Sequence, residues 1–159
     1  MKTLFTWKHG SFSHTFHLFR GGEEAGYLTL AAWKSGAEAA LGGHQYKFIK
    51  QSFWTSTTDI FGPDQPQPVG CITYNIWGRR AELALPMGQT HRWQYENVWH
   101  TKWQFTNPSG SSLRYARTRG IFATEGEISA DYEPNGLVLL TGLYIHAILT
   151  RQAAAASGA

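Results

Sequence analysis

The chain has a single cysteine, Cys71, among its 159 residues, so no disulfide can form within it. Proteins of reducing compartments commonly lack disulfides, and the N-terminal segment Met1–His9 has no apolar core of the kind found in a secretory signal peptide. Charged residues make up only 16% of the sequence and the formal net charge is +3, whereas nucleic-acid-binding domains usually carry a denser basic face. These features predict a cytoplasmic protein that does not bind nucleic acid.

The residue groupings that commonly carry catalysis or bind metals are missing as well. Seven histidines are present, but they are scattered, and no His-Glu-x-x-His run or cysteine pair accompanies them. The sequence contains no Gly-x-Ser-x-Gly nucleophile elbow. Glu125 and Glu127 share a strand face, but two carboxylates at this spacing are more typical of a solvated edge. We therefore expect no metal and no cofactor, and favour a non-enzymatic protein; the alternative is an enzyme whose site is not recognisable from sequence.

The longest apolar run lies near the end of the chain, from Leu137 to Leu149. As a helix it would have no polar face, and a helix that is apolar on all sides must be buried. It would be about 20 Å long, which is shorter than the roughly 20 apolar residues that span a membrane. We therefore predict no transmembrane segment and place a buried core helix at residues 133–152.

The rest of the chain is typical of an all-β body, because aromatic residues reach 14% and glycines number 17. Short segments alternate between apolar and polar residues and are separated by Gly- and Pro-rich turns. The segment 37–41 fits a strand or one helical turn equally well. The predicted strands are 12–20, 27–33, 37–41, 44–51, 53–61, 69–76, 80–85, 91–95, 102–106, 113–118 and 121–129.

About 12 short strands followed by one buried helix predict a mainly β fold, a closed antiparallel β-barrel around a hydrophobic C-terminal α-helix. A barrel of about eight strands has room only for side chains or one small ligand, whereas a barrel of about eleven can hold a helix on its axis. We expect residues 1–152 to form this single domain and residues 153–159 to be a flexible tail.

The sequence resembles the tubby C-terminal-like superfamily, which includes the LURP-one-related proteins and the phospholipid scramblases. The resemblance rests on the succession of short strands, on the hairpin pattern of residues 69–72 and 80–83, and on the terminal segment Asn135–Leu149. It implies a closed barrel of twelve strands threaded by a hydrophobic C-terminal helix. It covers nearly the whole chain but is one of architecture, so it assigns no functional residue. Tubby proteins themselves bind phosphoinositide head groups through basic residues.

Basic residues give the one indication of a binding site. Arginine side chains suit bidentate recognition of phosphate, and barrels often bind ligands at their mouths. Arg117 and Arg119 are predicted to share a strand face with Tyr115, and Arg79 to lie at a hairpin tip; a solvated surface is the alternative. The predicted ligand-binding residues are Arg79, Arg80, Arg114, Arg117, Arg119 and Tyr115.

We therefore predict a barrel that binds an anionic phospholipid or a phosphorylated small molecule, peripherally at a membrane. The alternatives are a lipocalin-like carrier of a small apolar ligand and the unrecognised enzyme named above. The position of the helix separates the first two functions, because an axial helix fills the cavity that a carrier needs.

Overall fold

The computed structural model describes residues 1–32, 36–50, 56–75, 80–120 and 123–157. Within these ranges the chain forms twelve β-strands, a short 3₁₀ helix at Pro86–Gly88 and one α-helix. The strands and the helix are β1 (Lys2–His9), β2 (Thr15–Arg20), β3 (Glu23–Leu30), β4 (Ala37–Leu41), β5 (His44–Ile49), β6 (Thr57–Phe61), β7 (Gly70–Tyr74), β8 (Arg80–Ala84), β9 (Thr90–Tyr95), β10 (Lys102–Thr106), β11 (Ser112–Arg119), β12 (Thr124–Ala130) and α1 (Gly136–Ser157).

The strands form one closed antiparallel barrel in which each strand pairs with its neighbours in the chain, and β1 closes the ring against β12. Side chains alternate between the inside and the outside of the barrel, as the two-residue period of a strand requires. In β8, for example, Ala81 and Leu83 are buried while Arg80 and Glu82 are exposed. The predicted fold class is confirmed.

The strands run alternately up and down, so the connections between them fall at two ends of the barrel. We call the end at which α1 begins the near end; it carries the β2–β3, β4–β5, β6–β7, β8–β9 and β10–β11 connections. We call the opposite end, where α1 leaves the barrel, the far end. It carries the β1–β2, β3–β4, β5–β6, β7–β8, β9–β10 and β11–β12 connections.

Helix α1 occupies the interior of the barrel. Its backbone is capped at the near end, where the Leu137 amide donates to Oδ1 of Asn135 over 2.8 Å, an interaction typical of an N-cap asparagine. It contacts both β4 and β10, which lie on opposite sides of the ring. By length and composition the helix could span a membrane, but 61% of its most apolar stretch is buried inside the protein. The axial position predicted from its lack of a polar face is confirmed.

Several elements differ from the sequence predictions. A strand at Lys2–His9 was not predicted, although buried Phe5 and Trp7 alternate there with exposed neighbours. Phe12, which was placed at the start of a core-facing strand, lies in a turn with a φ of 61° and is fully exposed. Helix α1 continues to Ser157, so residues 153–157 are helical where a flexible tail was expected.

Candidate functional site

Three aromatic side chains on the barrel wall bind the backbone of α1. The indole nitrogens of Trp93 and Trp103 both donate to the carbonyl of Gly142, over 3.2 and 3.0 Å. The hydroxyl of Tyr115 donates to the carbonyl of Leu139 over 2.7 Å. Each of these side chains is fully or almost fully buried, so their polar groups are satisfied by the helix.

Tyr115 is therefore a structural residue. It was predicted to face the surface beside the arginines and to help bind a ligand, but it points into the core and has no solvent exposure. Arg114, its neighbour in β11, is exposed on the outer face.

A partly buried polar cluster lies under the far end of the barrel. Nδ1 of His146 and the hydroxyl of Tyr95 are 2.9 Å apart and form a hydrogen bond. The His146 ring stacks on Trp103 with 3.7 Å between ring centroids, and Tyr95 stacks on His100 with 4.0 Å. Burial lowers the pKa of His146 to about 3, with further lowering by the charges of Arg117, His100 and His9.

The Tyr95–His146 pair is not poised for acid–base catalysis at neutral pH. Burial raises the pKa of Tyr95 to about 12, while that of His146 falls to about 3. A general acid or base works best when its pKa lies near the operating pH. The arrangement therefore suits a neutral structural imidazole better than a catalytic one.

His146 makes the stability of the fold depend on pH in a defined direction. In the unfolded chain its imidazole takes up a proton below its ordinary pKa of 6.5, whereas in the folded chain it stays neutral down to about pH 3. The unfolded state binds more protons between these values, so the free energy of unfolding falls as the pH is lowered from 6.5 towards 3. The slope from this one group approaches about 1.4 kcal/mol per pH unit. Urea unfolding between pH 7 and pH 4 measures it.

The matched control for this prediction is His146→Gln, which removes the titrating group and keeps an amide for Tyr95. Burial also lowers the pKa values of His9 and His91, but both remain in the variant, so the difference between the two curves isolates His146. If the free energy of unfolding fell equally with decreasing pH in the parent and the variant, the prediction would be wrong.

The structure does not gather the predicted arginines around one phosphate. Arg117 is opposite Gly126 in β12, whereas Arg119 is opposite Glu125, because a bulge shifts the register between them. Position 126 faces the interior against Trp7, so Arg117 turns inward and Arg119 turns outward. The prediction that these two arginines share a face is wrong for this reason.

The other arginines are also spread over the barrel. Arg114 lies on the outer face, where its Nε is 3.3 Å from the carboxylate of Glu96. Arg80 begins β8 at the far end and is exposed. Both lie in one row across the sheet, through Gln94 and Gln104, and three strand spacings of about 4.8 Å separate them by about 14 Å. Arg79 lies outside the described residues.

Charge is distributed unequally between the two ends of the barrel. The basic residues in or next to the far-end connections, among those the structure describes, are Lys8, Lys50, Arg80, Lys102, Arg117, Arg119 and Arg151. The acidic residues described at that end are Glu38, Glu96 and Glu125. At the near end the acidic residues are Glu23, Glu24, Asp64, Asp131 and Glu133, and the basic ones are Lys2 and Arg20. The far end is therefore basic and the near end acidic.

Two further features distinguish the ends of the barrel. At the near end Arg20 is held by Glu133 in a bidentate pair, with N–O distances of 2.6 and 2.8 Å. At the far end a groove of about 580 Å³ is lined by residues of β3, β4 and β5, and its charged residues are Lys47, Lys50 and Glu38. The far end thus has a concave surface beside a basic rim. These far-end lysines were missed from the sequence because they are far apart in the chain.

No three or more His, Cys, Asp or Glu residues are grouped so as to hold a metal ion in the part of the chain that the structure describes. A scan against protein-family models gives no match, and neither the search of curated proteins nor that of solved structures returns one. The twelve-stranded closed barrel around a buried C-terminal helix is consistent with the tubby-like fold. The site must be interpreted from its own geometry.

Proposed function

We propose that this protein is a non-enzymatic, tubby-like barrel whose far end binds a phosphate-bearing anionic ligand, specifically the head groups of anionic phospholipids at a membrane surface. The observation that carries the proposal is the separation of charge along the barrel axis. Basic residues dominate the far end, and acidic residues dominate the near end. Such a molecule is electrostatically oriented before it touches an anionic surface.

The binding free energy expected from the far-end cations suits reversible attachment to a membrane. Each lysine or arginine close to an anionic leaflet contributes about 1 kcal/mol, so several exposed cations together give useful affinity without one specific pocket. This mode of binding does not require the arginines to converge, which agrees with their positions on different faces of β11. Salt weakens it, because the screening length is about 8–10 Å at physiological ionic strength.

The alternatives receive less support. A lipocalin-like carrier needs an open apolar interior, but α1 occupies the barrel, and Leu139, Leu143 and Ile145 are fully buried there. General acid–base catalysis favours a group that titrates near neutral pH, and the pKa values of Tyr95 and His146 are shifted away from neutrality in both directions. A surface binding module remains the best account of the charge pattern.

Arg80→Gln combined with Arg119→Gln should weaken binding to vesicles containing phosphatidylserine by about 30-fold. The two side chains are exposed at the far end, and each is expected to contribute about 1 kcal/mol at an anionic surface. Co-sedimentation with vesicles at 50 and 300 mM salt measures the loss. The parent should bind more weakly at the higher salt concentration.

The matched control is Lys2→Gln combined with Arg92→Gln, which removes the same charge from exposed positions away from the far end. It should bind the same vesicles much more tightly than the far-end variant. Titration with inorganic phosphate and with soluble inositol phosphates distinguishes a free ligand from a membrane surface. Equal loss in both variants would contradict a far-end site, and tight binding of the soluble compounds without vesicle binding would contradict the membrane.

A further inference from the structure

The far end carries the two aromatic side chains that are exposed among the described residues. Phe12, in the β1–β2 connection, is fully exposed, and Trp99, in the β9–β10 connection, is 80% exposed beside exposed Val98. Single exposed apolar residues are common on protein surfaces. These residues differ because they project from the same end of the barrel as the basic rim.

Both loops that carry these side chains are ordered by local hydrogen bonds. In the β9–β10 loop, Oδ1 of Asn97 accepts from the amides of Thr101 and Lys102 over 3.0 and 3.3 Å, and its amide donates to the Thr101 hydroxyl over 2.6 Å. In the β1–β2 loop the ring of His9 is hydrogen-bonded to the carbonyl of Ser13 over 2.7 Å. Phe12 and Trp99 are therefore carried by ordered turns.

Backbone conformation supports the same conclusion. Phe12 has a φ of 61°, and His100, next to Trp99, has a φ of 56°. Residues other than glycine rarely adopt positive φ values, and such values persist where the surrounding structure imposes them. In Phe12 the conformation directs a large ring into solvent, where it makes no contribution to the core.

The near end differs in composition. Its described connections consist mainly of glycine, proline, serine, asparagine and acidic residues, and its exposed large apolar side chains are Met1 and Met87.

We propose that Phe12, Val98 and Trp99, which we call the apolar tips, insert into the interfacial layer of an anionic phospholipid bilayer, so that the barrel stands on the membrane by its far end. The inference rests on the proposed function and extends it from electrostatic attraction to insertion. A bilayer is the occupant that fits both features, because the tips are apolar and the rim around them is basic.

The chemistry of each part matches a layer of the membrane. Tryptophan is enriched at membrane–water interfaces, where its ring is buried and its N–H remains hydrated. Lysine and arginine around it face the phosphate layer. Peripheral proteins generally need two signals, an apolar one and a basic one, for stable attachment, and the far end supplies both. The exposed last turns of α1, Ala153–Ala156, leave the barrel at this end without adding charge.

The first experiment compares vesicle binding of the parent with that of Phe12→Ser combined with Trp99→Ser. The double variant keeps every charge, and both positions are exposed, so the fold should be unaffected. Binding to phosphatidylcholine vesicles with 30% phosphatidylserine should weaken by about 100-fold. Met87→Ser, at an equally exposed near-end position, is the matched control and should bind like the parent.

The second experiment measures insertion directly. A polarity-sensitive fluorophore is attached to Val98→Cys in a Cys71→Ala background, and to Met87→Cys in the same background as the control. Addition of the anionic vesicles should shift the emission of the label at position 98 to shorter wavelength. The label at position 87 should show no shift.

The outcomes separate the two proposals. Salt-sensitive vesicle binding that is unchanged in the Phe12→Ser, Trp99→Ser variant, with no emission shift at position 98, would overturn insertion and leave electrostatic binding in place. Absence of binding to anionic vesicles by the parent would overturn both and would assign the apolar tips to a protein partner. Weaker vesicle binding of the Phe12→Ser, Trp99→Ser variant, together with an emission shift at position 98 and none at position 87, supports insertion.

Discussion

Aspartate in place of Leu140 will unfold the protein. Leu140 lies in the second turn of α1 and has no solvent exposure, because this part of α1 lies inside the barrel. An unpaired carboxylate there would be buried at a cost of several kcal/mol, a large part of the roughly 5–15 kcal/mol by which a typical domain is stable. We expect insoluble protein, or a soluble chain without a cooperative thermal transition by circular dichroism.

The matched control is Gln152→Asp, which adds the same charge to the same helix at an exposed position beyond the barrel. It should melt within a few degrees of the parent, because surface substitutions usually change stability by less than about 0.5 kcal/mol. A Leu140→Asp protein that is soluble and melts normally would show that α1 is not the core of the fold.

Alanine in place of Gly142 will destabilise the protein although it favours a helix locally. A Cβ atom at this position would lie 2.2 Å from the hydroxyl oxygen of Tyr115 and 2.4 Å from its Cζ. Tyr115 cannot easily move, because its hydroxyl is bound to Leu139 and its ring stacks on Trp103 with 5.5 Å between centroids. Overpacking typically costs about 1–3 kcal/mol, which exceeds the gain of about 1 kcal/mol from alanine in a helix.

Two variants test this cause of the loss. Gly136→Ala, in the first turn of the same helix, would place its Cβ 3.4 Å from Leu41, an ordinary contact, and should be nearly neutral in urea unfolding. Tyr115→Leu removes the ring atoms that the new Cβ would meet, so Gly142→Ala should cost less in that background than in the parent. Additive losses would mean that Tyr115 is not the obstacle.

The architecture could be predicted from the sequence because its strongest signal is local. A helix that is apolar on all sides needs an enclosure, and short alternating strands supply one. The first strand was missed because Phe5 and Trp7 are the only large apolar residues that alternate in a mostly polar segment. Polar terminal segments of this kind are commonly unstructured.

The binding surface was harder to predict because each strand that is added or missed moves every later connection to the opposite end of the barrel. Residues distant in the chain meet at one end only if every intervening segment is correctly identified as a strand. The segment Ala37–Leu41 fitted a strand or a helical turn, and this choice decides at which end each later connection lies. Arg117 and Arg119 illustrate a finer limit, since one extra residue at the bulge reverses a face.

The order of elements in the chain has a consequence for folding during synthesis. Helix α1 follows all twelve strands, and ring closure joins β1 to β12 at the two ends of the β-sheet sequence. Domains generally fold as units during synthesis, and these strands have no apolar centre to pack against until the helix is made. Their hairpins can form early, since their contacts are local, yet the barrel can close only around the helix. Helix α1, which is synthesised after all twelve strands, is therefore needed before the barrel can close.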